Sequence, residues 1–201
     1  MNIINQYHNK LLKYKNLHSD EVCYIFGSGP TVNKFTMQEE GIIIGCNNVI
    51  KTDFIKENIK YYFFGHGYME HDNETSVCGN HKREVNELGN HVEKFAMVSR
   101  DNDIHVHGFD IDTIKSLHTI NAIPCDINIT TFYKNLEESP FINHSIVFGA
   151  TQFALYAGFK KIYLVGCDCN GCFVTNGFDK QTKNNINPIC NHLTEWWRKL
   201  Y

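Results

Sequence analysis

Short runs of apolar residues, many of them β-branched or aromatic, recur along the chain and alternate with polar segments. The strand-like runs lie at residues 22–26, 41–46, 60–64, 93–98 and 161–166. Runs of this length without polar alternation are typical of parallel strands that are covered on both faces. A longer apolar segment at 145–157 is followed by Gly158, which is a common helix stop, and therefore predicts a helix.

Strands that alternate with helical segments predict an α/β fold, with a Rossmann-like, mostly parallel sheet and helices on both faces. The 201 residues are expected to form a single domain, residues 1–201, with a polar irregular insertion at about residues 68–92. Residues 1–15 carry apolar side chains at helical spacing. This spacing predicts a short amphipathic helix that either caps the core or makes a peripheral contact with a membrane.

The first strand-like run leads into Gly27-Ser28-Gly29-Pro30-Thr31, which we call the glycine turn. Pro30 suits the first position of a helix, because an N–H group there would have no helical partner in any case. A strand, a glycine turn and a helix N-terminus together direct unpaired backbone N–H groups at one point, which favours binding of a phosphate. We therefore expect the glycine turn to hold the phosphate end of a nucleotide.

Polar residues also follow other strand-like runs: Asn47 and Asn48 the second, Gly65 and His66 the third, and Asp168 the last. Ligands of parallel sheets bind at the carboxyl ends of the strands, so these residues are expected to share one edge with the glycine turn. Carboxamides donate and accept hydrogen bonds, so Asn47 and Asn48 suit a ribose, a base edge or a sugar hydroxyl. Turn formation alone explains the two asparagines equally well.

Small residues near the start of the segment at 145–157 form a further candidate. Gly149, Ala150 and Thr151 offer a second set of backbone donors and leave room for the close approach of a ligand. Close packing of a helix on the sheet explains the same residues, and the sequence leaves both interpretations open.

Residue types exclude two common nucleotide sites. The dinucleotide fingerprint requires a third glycine, where this chain has Val32, and an acidic residue after the second strand, where it has Asn47. A P-loop requires Gly-Lys-Ser or Gly-Lys-Thr, and the chain contains neither. The glycine turn therefore belongs to another class of nucleotide site.

Composition and charge limit the partners. The net charge of −3 gives no reason to expect nucleic-acid binding, and no apolar run approaches the roughly 20 residues that cross a bilayer. Eight cysteines without a secretory signal favour reduced thiols, and Cys23 and Cys46 are predicted core residues because they lie within apolar runs. The expected location is the cytoplasm, with the inner face of the membrane as the alternative.

Cysteine and histidine clusters suggest a zinc site as an alternative. Cys167, Cys169 and Cys172 with His192 downstream form one such group, and residues 66–91 hold another. Neither group has the two Cys-x-x-Cys pairs that are typical of a structural zinc site. No metal cofactor is therefore expected.

Two stretches of the chain resemble the bacterial sialyltransferases of the Campylobacter type. That family opens with a strand and a Gly-x-Gly-Pro-Ser/Thr turn, as at residues 27–31, and its next strand ends in Cys-Asn, as at Cys46-Asn47. Its later block Gly-Tyr/Phe-Lys-x-Ile-Tyr-Leu-x-Gly-x-Asp is matched by residues 158–168. A Phe-Asp pair followed by Lys, Gln and Thr residues is matched by residues 178–183.

The resemblance implies a Rossmann-like glycosyltransferase that moves a sugar from a CMP-sugar donor to a glycan acceptor without a metal. In the family, the turn and the asparagine contact the nucleotide, the small-residue helix start lies beside the donor, and a histidine is the general base. These roles fall here on Ser28, Gly29, Asn47, residues 149–151 and His192. A histidine that titrates near neutral pH suits proton transfer from a hydroxyl, although helix capping or surface exposure also explains His192.

Two alternatives stay open. Residues 158–168 also resemble the archaeal-type 6-hydroxymethylpterin pyrophosphokinase domain, which implies ATP and Mg²⁺, with Asp168 helping to hold the metal. That family has Asp-Gly-Ala where this chain has Cys46-Asn47-Asn48. The sialyltransferases have tyrosines soon after the aspartate of the block, whereas residues 169–173 contain none. The second alternative is therefore a catalytically inactive, nucleotide-binding homologue.

Overall fold

The computed structural model describes residues 10–65, 88–99, 120–126, 136, 141–142, 145–168, 172–175 and 180–183. The strands in these ranges are β1 (Val22–Phe26), β2 (Ile42–Cys46), β3 (Ile59–Phe64), β4 (Glu93–Ser99), β5 (Ile120–Asp126), β6 (Phe141–Ile142), β7 (Lys161–Val165), β8 (Cys172–Thr175) and β9 (Lys180–Lys183). The α-helices in these ranges are α1 (Asp53–Asn58) and α2 (Ile146–Tyr156). Short 3-10 helices lie at Leu12–Tyr14, Pro30–Lys34 and Asn47–Lys51.

Seven of these strands form one sheet in the order β6-β5-β4-β3-β2-β1-β7, and every described pairing in it is parallel. Strands β8 and β9 form a separate antiparallel pair. The predicted α/β class with a parallel sheet is therefore confirmed. Each of the five predicted strands is present, with ends that differ from the prediction by one residue at most.

Side chains on the two faces of the sheet form two separate cores. On one face, Tyr24, Phe26 and Tyr62 pack with residues from the 3-10 helix Asn47–Lys51 and from α1. On the other face, residues of β1 to β4 pack against α2 and the segment at 10–14. Cys23 and Cys46 are 0% and 2% exposed in this second core, as predicted. Burial raises the pKa of the Cys23 thiol to about 12.

Helix α2 stops before Gly158, as predicted, and begins at Ile146, one residue after the predicted start at Ser145. The Ser145 hydroxyl accepts a hydrogen bond from the Val147 N–H group at 3.3 Å and caps the first turn. At the other end Gly158 has a φ of +83°, a left-handed conformation that glycine adopts without strain. The Phe159 N–H group donates to the Ala154 carbonyl and the Gly158 N–H group to the Leu155 carbonyl, which together form a Schellman motif.

Several sequence predictions concern residues outside the described ranges. Residues 1–9 of the predicted amphipathic helix and most of the insertion predicted at 68–92 lie there. In the described parts of these segments, Leu11 and Tyr14 are buried in the second core, and Leu88 and Val92 in the first. Among the helices of the described ranges, none combines the length and the apolar character that a membrane crossing requires.

A buried polar network ties the segment before β1 to β3. His18 is 2% exposed and stacks on Phe159 with ring centroids 4.5 Å apart. Its Nδ1 contacts the carboxylate of Glu21, and its Nε2 lies 2.6 Å from the hydroxyl of Tyr61. A carboxylate only accepts, so Nδ1 donates to Glu21, and Nε2 pairs with the Tyr61 hydroxyl. Both ring nitrogens are thereby satisfied in the core.

Tyr61→Phe is expected to lower the free energy of unfolding by about 1–3 kcal/mol, because it leaves a buried ring nitrogen without a partner. Urea denaturation measures the loss. Tyr163→Phe is the matched control, because the Tyr163 hydroxyl donates at 2.7 Å to an exposed carboxylate, that of Glu39. That control is expected to cost less than about 1 kcal/mol. Equal losses in the two variants would contradict a structural role for the His18 network.

Candidate functional site

The strand order creates a switch point between β1 and β7. From β1 the sheet extends through β2 to β6 on one side, whereas β7 pairs with the opposite side of β1. At such a point the connections that leave two adjacent strands run in opposite directions and leave a crevice between them. Ligands of open parallel sheets bind in this crevice, at the carboxyl ends of the strands. The glycine turn follows β1, and residues 166–168 follow β7, so both lie at this position.

Backbone hydrogen bonds join the glycine turn to the end of β7. The Gly27 N–H group donates to the Val165 carbonyl at 2.8 Å, and the Gly29 N–H group donates to the Gly166 carbonyl at 2.7 Å. Gly166 has a φ of +68°, and a Cβ atom there would lie 2.6 Å from the Gly27 carbonyl oxygen. Glycine is therefore required at 166 both for its conformation and for the close approach of the two segments.

Asp168 caps the 3-10 helix Pro30–Lys34 from the far end of the chain. Its Oδ2 accepts from the Thr31 N–H group at 2.9 Å, and its Oδ1 accepts from the Thr31 hydroxyl. A Cβ atom at Gly29 would lie 2.3 Å from Asp168 Oδ2, so the carboxylate packs directly against the glycine turn. Charge-assisted bonds of this kind are stronger than those between neutral groups.

These bonds correct one expectation from the sequence. The glycine turn does not present unpaired N–H groups at Gly27, Gly29 and Thr31, because all three donate to the β7 end of the chain. Pro30 has no N–H group, and the Ser28 N–H group makes no hydrogen bond to the described part of the chain. An incoming phosphate would therefore meet Ser28 first and would compete with Asp168 for Thr31.

Asn47 connects the carboxyl ends of β2 and β3. Its φ of +50° is a left-handed conformation, which asparagine tolerates better than most residues. Its Oδ1 accepts from the Gly65 N–H group at 3.3 Å, and its carbonyl accepts from the Tyr62 hydroxyl at 3.0 Å. These contacts support a turn-forming role for Asn47. Asn47 accepts both hydrogen bonds, so its Nδ2 group, which can only donate, takes no part in them. The backbone of Asn48 lies in the 3-10 helix Asn47–Lys51.

Gly149, Ala150 and Thr151 lie one turn inside α2, which begins at Ile146. Their side of the helix is buried against the sheet, and the Thr151 hydroxyl donates to the Val147 carbonyl at 2.8 Å. N–H groups at this depth belong to the helical hydrogen-bond ladder. The close-packing interpretation therefore accounts for the three residues. The start of α2 does reach the side of the sheet where the strands have their carboxyl ends, which we call the carboxyl edge. Ile146 packs against Gly65, the residue after β3, because a Cβ atom at Gly65 would lie 2.5 Å from Ile146 Cδ1.

The remaining candidate residues are the proposed base and the cysteine clusters. His192 lies outside the described residues, as do the side chains of Cys169 and Cys172. In the described part of the chain, no group of three or more His, Cys, Asp or Glu residues is placed to hold a metal ion. Burial and the nearby Cys167 raise the pKa of the Cys46 thiol, which is therefore protonated at neutral pH.

Sequence reasoning missed two residues that shape this edge. Gly166 was expected to be part of a strand, although a glycine between an apolar run and Cys-Asp is a signal for a turn with positive φ. Ser145 was included in the helix rather than recognised as its cap, although a serine directly before an apolar segment is a cap signal. Both features can be recognised from the local sequence alone.

Comparison with known proteins does not assign the chain to a family. No family model matches it, and no curated protein matches its sequence. The case for a function therefore depends on the switch point and on the polar groups gathered there: the glycine turn, Asp168 and Asn47.

Asp168→Ala is expected to lower the free energy of unfolding by about 1–2 kcal/mol, because it leaves the Thr31 N–H group and hydroxyl without their acceptor. Asp168→Asn keeps one acceptor oxygen and is expected to lose less. Thermal or urea unfolding measures both, with Asp20→Ala as a control at an exposed aspartate. If Asp168→Ala costs no more than Asp20→Ala, the contact does not stabilise the junction.

Proposed function

We propose that this protein is a metal-independent glycosyltransferase, which moves a sugar from a nucleotide-activated donor, a CMP-sugar, to a glycan acceptor. In this proposal the domain is Rossmann-like and the donor lies at the carboxyl edge of the sheet. The observation that carries the proposal is the contact between the glycine turn and Asp168 at the β1/β7 switch point, with Asn47 directly after the neighbouring strand β2. We place the protein in the cytoplasm, with the inner face of the membrane as the alternative location.

The donor phosphate, in this proposal, lies against Ser28 and Gly29. A phosphate and the Asp168 carboxylate compete for the same two donors on Thr31, because both are anions. Donor binding therefore requires either a phosphate seated on the Ser28 side or a carboxylate that leaves Thr31. Asn47 has its Oδ1 committed to Gly65, so it contributes its Nδ2 donors to the ribose or the sugar.

The transfer step needs a base for the acceptor hydroxyl and stabilisation of the departing nucleotide. We assign the base to His192, because histidine is a common general base at neutral pH. Its imidazole takes the proton of the acceptor hydroxyl as the sugar–phosphate bond breaks. The leaving CMP carries the negative charge that the broken bond releases. Backbone and side-chain donors at the carboxyl edge, rather than a metal ion, are proposed to hold that charge.

A nucleotide-sugar is expected to stabilise the protein without Mg²⁺. A ligand present at 100 times its Kd contributes about 2.7 kcal/mol, which is roughly 5–10 °C in Tm for a domain of this size. A thermal-shift panel of CMP-, UDP- and GDP-sugars and ATP, each with and without Mg²⁺, measures this. Stabilisation by ATP alone, and only with Mg²⁺, would favour a pyrophosphokinase. A panel without any stabilising nucleotide would end the proposal.

His192→Ala is expected to reduce transfer or donor hydrolysis by about 10²- to 10⁴-fold, which is the range for loss of a general base. The thermal shift with the donor should stay within a few degrees of wild type, because the base does not hold the nucleotide. His91→Ala is a control at a histidine that is exposed in the described part of the chain. Donor binding without turnover above background in the wild type would instead identify an inactive homologue.

A further inference from the structure

A cleft of about 430 Å³ opens between the segments that follow β1 and β2. Phe26 and Phe35 form part of its wall, with their rings perpendicular and 5.0 Å apart. Phe54 and Met37 also line it, and they are 48% and 36% exposed. Large apolar side chains that remain exposed around a concave surface are typical of a binding site.

The uncharged lining of this cleft favours a neutral ligand. None of its nine lining residues carries a charge. An unpaired charge transferred from water into such surroundings would be strongly unfavourable. The aromatic side chains favour a flat ring, which can stack on them or meet them edge to face. The volume lies at the lower end of the range for small-molecule sites, which suits a single ring system with a small substituent.

Thr52 supplies a hydrogen-bonding group on the cleft wall. It occupies the N-cap position of α1, yet its side chain does not cap the helix. Its hydroxyl is buried and has no hydrogen-bond partner in the described part of the chain. A buried polar group without a partner calls for an explanation. The methyl and hydroxyl groups of threonine are similar in size, so rotation about χ1 can exchange their positions with little change in packing.

We propose that this cleft binds a neutral heteroaromatic ring, the base of a nucleotide, with the Thr52 hydroxyl bonded to the edge of the ring. The cleft lies beside the glycine turn, because Phe26 directly precedes Gly27 and Val32 lies in the 3-10 helix that the turn begins. A base in the cleft would thus place its phosphate toward the switch point. The choice of a nucleobase among neutral rings rests on the proposed function, whereas the neutral aromatic site does not.

The test uses the full chain and four uncharged probes: cytidine, uridine, adenosine and guanosine. Saturation-transfer NMR and titration measure their binding to the wild type and to three variants. Thr36→Trp places a bulky ring at an exposed position of the lining, and Gln38→Trp adds the same ring two residues away, outside it. Thr52→Val removes the hydroxyl and keeps the shape of the side chain.

The proposal predicts that at least one nucleoside binds the wild type and Gln38→Trp alike and binds Thr36→Trp at least tenfold more weakly. Thr52→Val should weaken binding about fivefold, as expected for one hydrogen bond between neutral groups, without lowering Tm. Absence of nucleoside binding, or equal binding by Thr36→Trp, would overturn the proposal. Indole is included as a ring without the base's hydrogen-bonding edge, and indole binding as tight as that of the best nucleoside would also overturn it.

The same data separate this inference from the proposed function. Nucleosides carry neither the phosphate nor the transferred sugar, so their binding tests the cleft without the phosphate contacts of the glycine turn. If nucleosides bind while no nucleotide-sugar stabilises the protein, the glycosyltransferase proposal fails and the ring site stands. If a nucleotide-sugar stabilises the protein while Thr36→Trp leaves nucleoside and donor binding unchanged, the ring site fails and the donor site lies elsewhere on the edge.

Discussion

The junction between β1 and β7 is the contact on which the arrangement of the carboxyl edge depends. Thr31 and Asp168 are 137 residues apart in the sequence. Their contact, with the backbone bonds of Gly27 and Gly29, joins the segments that follow the first and last strands of the parallel sheet. The junction places the last strand of the parallel sheet beside the first and so creates the switch point. It also satisfies three of the N–H groups that an isolated strand–turn–helix unit would leave for a ligand.

The parts of the fold that could be predicted are those with strong local signals. Strands β1, β2, β3 and β7 are continuous apolar runs, and α2 lies between a serine cap and a glycine stop. Strand β5 was not predicted, because Asn121 and Pro124 interrupt its apolar pattern and proline is disfavoured inside a sheet. Its place between β4 and β6 is set by pairing with distant residues, which local propensity does not encode.

The candidate site could be predicted in its residue types but not in its bonds. Asn47 and Asp168 were expected at the carboxyl edge because each follows an apolar run. Their partners, Gly65 and Thr31, are distant in sequence, so the structural roles of the two side chains were not visible. The cleft with Thr52 was missed for the same reason, since its walls come from two segments that meet only in the folded chain. Asn47 and Asp168 therefore each have a structural role that a ligand must share.

The central claim is that the carboxyl edge around the glycine turn binds a nucleotide. Amide chemical-shift mapping by ¹⁵N NMR with CMP, compared with cytidine and inorganic phosphate, tests this claim most directly. The account predicts that the largest shifts caused by CMP and not by cytidine fall at Ser28 and Gly29. Shifts confined to the opposite edge of the sheet, around His18 and Glu21, or an absence of shifts at saturating CMP, would contradict it.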